Sequence, residues 1–365
     1  MKSNARIIIA GGGTGGHIFP AIAIANAIKS MAPGTEFLFI GARGKMEMEK
    51  VPQAGYTIEG LEIAGFNRSS LIKNIGLPLK LIKSFFQVRT IFKRFRPDAV
   101  IGVGGYSSFP VLRFAQSQNV KTFIHESNSF AGKSNILLGK RATGIFVSAE
   151  GMEKFFPADK IMVTGNPVRQ AIAENDVTKE KALQYFGLSA GKKVVLSIGG
   201  SLGAKSINEA IAAGLEEFSK NGLQLIWQTG KPYHEKAIAL VKGKAGIYAS
   251  DFISQMEMAY AAADFVISRS GAMAIAELCV VKKPVLFVPY PFAAEDHQTA
   301  NAKTLVNKHA AEMITDGEAL NQLVPAIIAL SKDEQRQEEY ISNIATLAIT
   351  NADTTIAHTI LESLN

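Results

Sequence analysis

Apolar runs of four to six residues alternate with stretches of helical periodicity along the chain. Residues 6–10, 36–40, 99–103, 121–125, 144–148 and 161–164 read as strands, followed by 193–198, 223–228, 247–251, 265–268 and 284–289. Strands this apolar are buried on both faces, and their alternation with helices predicts parallel sheets covered on each side. The pattern restarts once. Ile7-Ile-Ile-Ala-Gly-Gly-Gly-Thr-Gly-Gly-His17 and Val194-Val-Leu-Ser-Ile-Gly-Gly-Ser-Leu-Gly-Ala204 are each a strand entering a glycine-rich turn and then a helix. Two doubly wound, Rossmann-like α/β domains are therefore expected, separated near Gly165-Asn-Pro-Val-Arg169. They should face across a cleft at the carboxyl ends of their strands, where open α/β sheets bind ligands.

Composition agrees with two ordinary domains. The chain has 365 residues, 47% hydrophobic and 19% charged, which excludes a disordered, collagen-like or disulfide-stapled protein. The single cysteine, Cys279, sits in an ordinary buried-helix sequence and is given no catalytic role, so a reducing compartment is expected. The opening residues are too short an apolar stretch for a secretory signal, and no run approaches the roughly 18 apolar residues of a membrane span. A cytosolic protein follows as the expectation.

Charge changes the picture more. The net charge of +7 requires an anionic partner, and its location says which. Residues 63–97 contain no acid and eight bases, so the other 330 residues sum to −1. Leu81, Phe85, Val88, Phe92 and Phe95 recur there at helical spacing behind Pro78, which suits a first helical turn. That stripe could simply pack on the core, leaving the charges as a solvated face. The approach segment reads differently, because Phe66, Leu71, Ile72, Ile75 and Leu77 lie beside Lys73, Lys80 and Lys83 in a Gly/Asn/Ser-containing stretch. Apolar groups among lysines suit an anionic bilayer surface, whereas no aromatic-basic stacking module for nucleic acid is visible.

The candidate chemistry follows strands. Gly11 to Gly16 matches G-x-G-x-x-G, a turn that can bring backbone N–H groups close to a phosphate or sugar. A dinucleotide reading needs an acid at the end of the second strand, and Gly41-Ala-Arg-Gly44 has none there. His17, directly after the turn, can present a titratable imidazole. Ser201 lies in the second glycine turn. In Ser268-Arg-Ser-Gly-Ala-Met273, Ser270 and Gly271 form a turn before a helix, an anion site whose charge Arg269 could compensate. Glu277, two turns into that helix, could accept both hydroxyls of a ribose. Gln298 and Asn301 share a helical face and could bind sugar hydroxyls. Gly104-Gly-Tyr106 and His125-Glu-Ser-Asn128 should lie on the same rim as His17. No cluster has metal-ligand spacing, and no cofactor is expected.

In this order the motifs resemble the peptidoglycan N-acetylglucosaminyltransferase family, the bacterial enzymes that convert lipid I to lipid II. The similarity runs from about residue 6 to beyond residue 300. It departs at Ser127, where many members carry Gln, and at Gly104 to Pro110, which lacks a usual glycine before the proline. The resemblance implies a GT-B fold, with 1–167 plus about 340–365 forming an acceptor and membrane-associating domain and 168–339 a UDP-sugar domain. It implies inverting transfer from UDP-N-acetylglucosamine to the muramoyl 4-hydroxyl of the undecaprenyl-linked acceptor, lipid I. By position, Ile253 would contact uracil through its backbone, and Glu277 the ribose. Ser201 with Ser270, Gly271, Ala272 and Met273 would hold the diphosphate and Gln298 the sugar. Thr14, Gly15, Gly16, Asn128 and Arg169 would complete the donor site, and Tyr106, His125 and Asn135 would face the acceptor. His17 is the first choice of general base and Glu126 the second. Expected partners are the anionic inner leaflet of the cytoplasmic membrane and cell-wall synthesis proteins, with no nucleic acid. The location implied is peripheral, on the cytoplasmic face. Alternatives are a UDP-N-acetylglucosamine 2-epimerase and a non-catalytic nucleotide-sugar-binding module.

Overall fold

The computed structural model describes residues 4–65, 76–200, 202–293 and 296–365. Phe66, Leu71, Ile72, Lys73, Ile75 and Ser201 thus lie outside the described residues. The chain forms two compact units, Met1–Arg169 with Asn351–Asn365, and Gln170–Thr350.

Among the described residues, the first unit holds a seven-stranded parallel sheet. Its strands are β1 (Arg6–Ala10), β2 (Glu36–Ala42), β3 (Ile58–Leu61), β4 (Ala99–Gly102), β5 (Lys121–Glu126), β6 (Gly144–Val147) and β7 (Ile161–Val163), in the order β3-β2-β1-β4-β5-β6-β7. The chain starts at the centre, runs out to β3 and then crosses to the other side of β1. Ala10 pairs with both Ile40 and Gly102, so the loops after β1 and β4 meet where the strand order reverses. Ile7 and Ile9 face a core shared with helices Gly15–Met31 and Ala352–Ser363, while Ile8 faces a second core with helices Leu77–Phe95 and Ser108–Ser117. Successive strand residues point to opposite faces, which is why β1 must be apolar throughout.

The second unit repeats the plan with six parallel strands: β8 (Lys193–Ile198), β9 (Leu223–Gln228), β10 (Ile247–Ser250), β11 (Phe265–Ser268), β12 (Val285–Phe287) and β13 (Glu312–Met313), ordered β10-β9-β8-β11-β12-β13. Its reversal lies between β8 and β11, where Arg269 N–H donates to Ile198 O.

Two strands escape the apolar-run pattern, β3 (Ile-Glu-Gly-Leu) and the two-residue β13. Both are short edge strands, whose pairing needs little burial. The helix Glu334–Ala345 keeps Tyr340 in the second unit's core, and Ile356, Ile360 and Leu361 enter the first unit's core. The return to the first unit therefore begins at Asn351 instead of about residue 340. Among the described residues, no helix is long and apolar enough to cross a membrane. Burial pushes the Cys279 thiol up to about 12, which keeps it protonated and unreactive.

Candidate active site

His17 occupies the first turn of helix Gly15–Met31, and its placement begins with the glycines before it. Gly12 N–H donates to Gly104 O (3.3 Å), joining the two loops at the reversal of strand order. The imidazole then packs over Gly104, where an added Cβ would sit 2.7 Å from Nε2. Only glycine fits there, all the more because Gly104 has φ +95°. Nδ1 lies 2.9 Å from Gly12 O. A carbonyl can only accept, so Nδ1 carries the proton, and in the neutral ring Nε2 is left with its lone pair. That is the arrangement a general base requires.

The glycine turn is less open to an anion than its motif suggests. Gly11 N–H donates to Ile40 O, Gly12 N–H to Gly104 O, and Gly13 N–H to Glu47 Oε2 at 2.8 Å. Three amides are consumed internally, one of them by a carboxylate that would repel phosphate. The Gly15 and Gly16 amides belong to the first helical turn, which has no intrahelical acceptor for them. Thr14 is the exposed N-cap, and its side chain makes no cap bond. The acid missing from the end of β2 is thus present five residues later, as Glu47. It is 1% exposed and folded back so that Oε1 accepts Ala42 N–H (2.9 Å). The sequence signal was the pair Gly12 and Gly41, each of which lacks a side chain where the Glu47 side chain lies.

Of the residues expected on the acceptor side, Tyr106 lies against this turn. Tyr106 lies half-buried against Gly13 and Gly65, and burial, then the Glu47 charge, raises its phenol pKa. His125, next to last in β5, is fully buried, with neither ring nitrogen in a well-formed hydrogen bond. Burial first, then the charge of His17, holds its pKa down to about 4, with the Gly165 backbone and Asn166 side chain pulling weakly the other way. It is neutral at physiological pH. Glu126, also buried, accepts from Asn128 N–H (3.1 Å), Asn128 Nδ2 (3.3 Å), Gly132 N–H (3.0 Å) and Asn135 Nδ2 (2.9 Å). Its carboxylate organises the 126–135 loop and is already saturated with donors. Arg169 stacks over the Phe19 ring, 4.9 Å from its centroid.

In the second unit, Gly271 caps helix Ala272–Val281 in an extended conformation, with no side-chain cap and no acid in the first turn. Ala272 and Met273 lie in that first turn, where the positive end of the helix dipole is not offset by an acid. Ser270 is buried and donates to Gln298 O (2.8 Å), while Asn301 Nδ2 donates to Ser270 O (3.2 Å), so Asn301 braces the turn. Gln298 Oε1 accepts Tyr290 N–H at 3.0 Å. Glu277, 8% exposed, accepts from Tyr260 O–H at 3.1 Å, a partner that orients the carboxylate and that sequence spacing could not reveal. Ile253 is buried beyond β10.

Arg269, expected as a charge compensator, is engaged within its own unit. Its Nη1 donates to Asp316 Oδ1 (2.5 Å), Val288 O (2.9 Å) and Pro289 O (3.0 Å), and Nη2 donates to Ser206 Oγ (3.2 Å). The guanidinium holds the loop after β12 through Val288 O and Pro289 O.

Helix Leu77–Phe95 is anchored by Ser84, Val88, Ile91 and Phe92, whereas Leu79, Ile82 and Phe86 stand exposed at 73%, 54% and 64%. Leu77 is half-buried and Lys80 exposed. Lys83 pairs with Glu62, and Arg94 with Glu59. Both acids lie just before the acid-free run and neutralise part of it.

Comparison with known proteins adds the family. Residues 7–147 match the glycosyltransferase family 28 N-terminal domain and residues 194–358 its C-terminal domain. The chain is 49% identical to the UDP-N-acetylglucosamine–N-acetylmuramyl-(pentapeptide) pyrophosphoryl-undecaprenol N-acetylglucosamine transferase of Phocaeicola vulgatus, covering 99% of this chain and 97% of that one. It is 52% identical to the protein of the same name from Parabacteroides distasonis, over 94% of each. A crystal structure of Acinetobacter baumannii MurG is similar with a TM-score of 0.76 and 27% identity, covering 98% of this chain and 99% of that one.

Proposed function

This chain belongs to glycosyltransferase family 28, and on that premise we propose that it transfers N-acetylglucosamine from UDP-N-acetylglucosamine to undecaprenyl-diphospho-muramoylpentapeptide, giving lipid II. Its two parallel-sheet units are those of the GT-B fold. The observation that carries the chemistry is the His17 tautomer, with Nδ1–H held by Gly12 O and the Nε2 lone pair left to accept a proton. In a single displacement with inversion, the muramoyl 4-hydroxyl attacks the anomeric carbon and His17 takes its proton. Glu126, with four donors on its carboxylate, is the loop anchor in this reading. The leaving diphosphate is held by the amides of Ser270 to Met273 at the start of helix Ala272–Val281, and Glu277 holds the ribose.

The relatives of near half identity over the whole chain carry the transferase name, which disfavours an epimerase. Exposed Leu79, Ile82 and Phe86 beside Lys80 support docking on the anionic inner leaflet, with each base near such a surface contributing about 1 kcal/mol. UDP release measured with and without lipid I tests the reaction. Release that requires lipid I is expected. UDP-sugar consumption without it would identify an epimerase, and binding without turnover a sensor.

A further inference from the structure

Glu47 lies outside every role assigned above, yet it is a carboxylate buried to 1% exposure directly beneath the His17 turn. We propose that Glu47 is a positioning residue that selects the His17 tautomer through a single peptide group. The inference rests on the reading of His17 as the base. Gly12 C=O and Gly13 N–H are the two ends of one planar trans peptide and therefore point in opposite directions. Glu47 Oε2 accepts the Gly13 N–H at 2.8 Å, which aims the Gly12 carbonyl at His17 Nδ1, 2.9 Å away.

The carboxylate is itself fixed at its other oxygen by Ala42 N–H, at the end of β2. An added Cβ at Gly12 would fall 2.3 Å from the carboxyl carbon of Glu47, and one at Gly41 2.4 Å from its Cγ, so both glycines make room for this side chain. If the peptide turned over, Gly13 N–H would leave Glu47 and an N–H would face Nδ1 in place of a carbonyl. The ring would then carry its proton on Nε2 and could not accept one there. Charge makes the preference one-sided, because a carboxylate accepts an N–H but repels a carbonyl oxygen. Glu47 thus acts at a distance, holding the proton on Nδ1 and leaving Nε2 to accept one.

The test is the ring ¹⁵N spectrum of His17, assigned with His17→Gln, in the wild-type protein and in Glu47→Gln and Glu47→Asp. The carboxamide presents an NH₂ to one of its two amides, and the aspartate is one methylene too short to reach both. Wild type should show the non-protonated nitrogen at Nε2, and the variants a mixture of tautomers. Their kcat should fall at least tenfold while KM for UDP-N-acetylglucosamine stays within twofold. Nε2–H in the wild type, or an unchanged Nδ1–H tautomer in a folded variant, would overturn the proposal whatever the rates. If one variant fails to fold the other carries the comparison, and the wild-type spectrum decides if both do. Normal turnover in His17→Ala would instead remove the base reading while leaving the spectra to judge Glu47.

Discussion

The two units start from the same local pattern, a parallel strand running into a glycine turn and a helix, and put it to opposite uses. In the first, the turn is internally satisfied: its three leading amides go to Ile40 O, Gly104 O and Glu47, and a buried carboxylate lies beneath it. That geometry repels an anion and holds an imidazole. In the second, the helix start at Gly271, beside the strand reversal, has no side-chain cap and no acid in its first turn, so its dipole favours an anion. A glycine motif alone does not specify phosphate binding, because what decides is whether the amides are already taken and by what charge.

The largest effect should come from the first unit's imidazole. His17→Ala should lower turnover by roughly 10² to 10⁴ while UDP affinity from calorimetry stays within twofold. Loss of affinity without loss of turnover would break the division of labour between the units. The buried partner comes next. His125 titrates near 6.5 when unfolded and about 4 when folded, so its contribution to stability is complete above pH 6.5. It is lost as pH falls toward 4, by about 3 kcal/mol. Denaturant titrations at pH 7 and pH 4.5 should show that loss in the wild type and a smaller one in His125→Phe. Equal slopes would refute the assignment.

Two substitutions sharpen the second unit. Glu277→Ala should weaken UDP binding roughly tenfold to a hundredfold, the range of a hydrogen bond to a charged group. Unchanged affinity would refute the ribose role. Asp316→Ala tests whether Arg269 is structural. Its partner is removed from a pair with 12% and 26% side-chain exposure, so stability should fall by about 2 kcal/mol, less than for a fully buried pair. UDP affinity should stay within twofold. A tighter complex would mean that the released guanidinium reaches the diphosphate.

Much of this was legible before the structure, and the exceptions share a cause. Strands such as β1 and β8 announce themselves because burial on both faces demands uninterrupted apolar residues. His17 could be singled out because its role follows from a local turn. Tyr260 and Asp316 could not, and Glu47 only through the paired glycines Gly12 and Gly41, since these residues meet their partners across 17, 47 and 34 residues and none lies in a strand-end motif. The partner of Arg269 was hidden for the same reason: a guanidinium beside a helix start looks unengaged until its acid arrives from after β13. The acid-free run of residues 63–97 was a correct count whose electrostatics changed on folding, when Glu59 and Glu62 were laid against Arg94 and Lys83.

That last change yields the smallest effect, and it belongs to the first unit alone. Lys80 and Lys83 are one turn apart on helix Leu77–Phe95, both exposed, and a simple charge count makes them equivalent. The ion pair does not. Lys83 with Glu62 is close to neutral as seen from a bilayer, and the pair also involves Arg43 at 2.9 Å from the same carboxylate. Lys80→Gln should therefore weaken binding to phosphatidylglycerol-rich vesicles about fivefold, the worth of roughly 1 kcal/mol per base. Lys83→Gln should weaken it less than Lys80→Gln does, because Arg43 still neutralises the Glu62 carboxylate once Lys83 is gone. Glu62→Gln should strengthen binding by unmasking Lys83. Sedimentation at low and high salt separates these effects from the apolar contribution of Leu79, Ile82 and Phe86, which salt does not screen. Equal losses for Lys80→Gln and Lys83→Gln would show that this helix meets the membrane as a uniform basic surface and that the ion pair opens on contact.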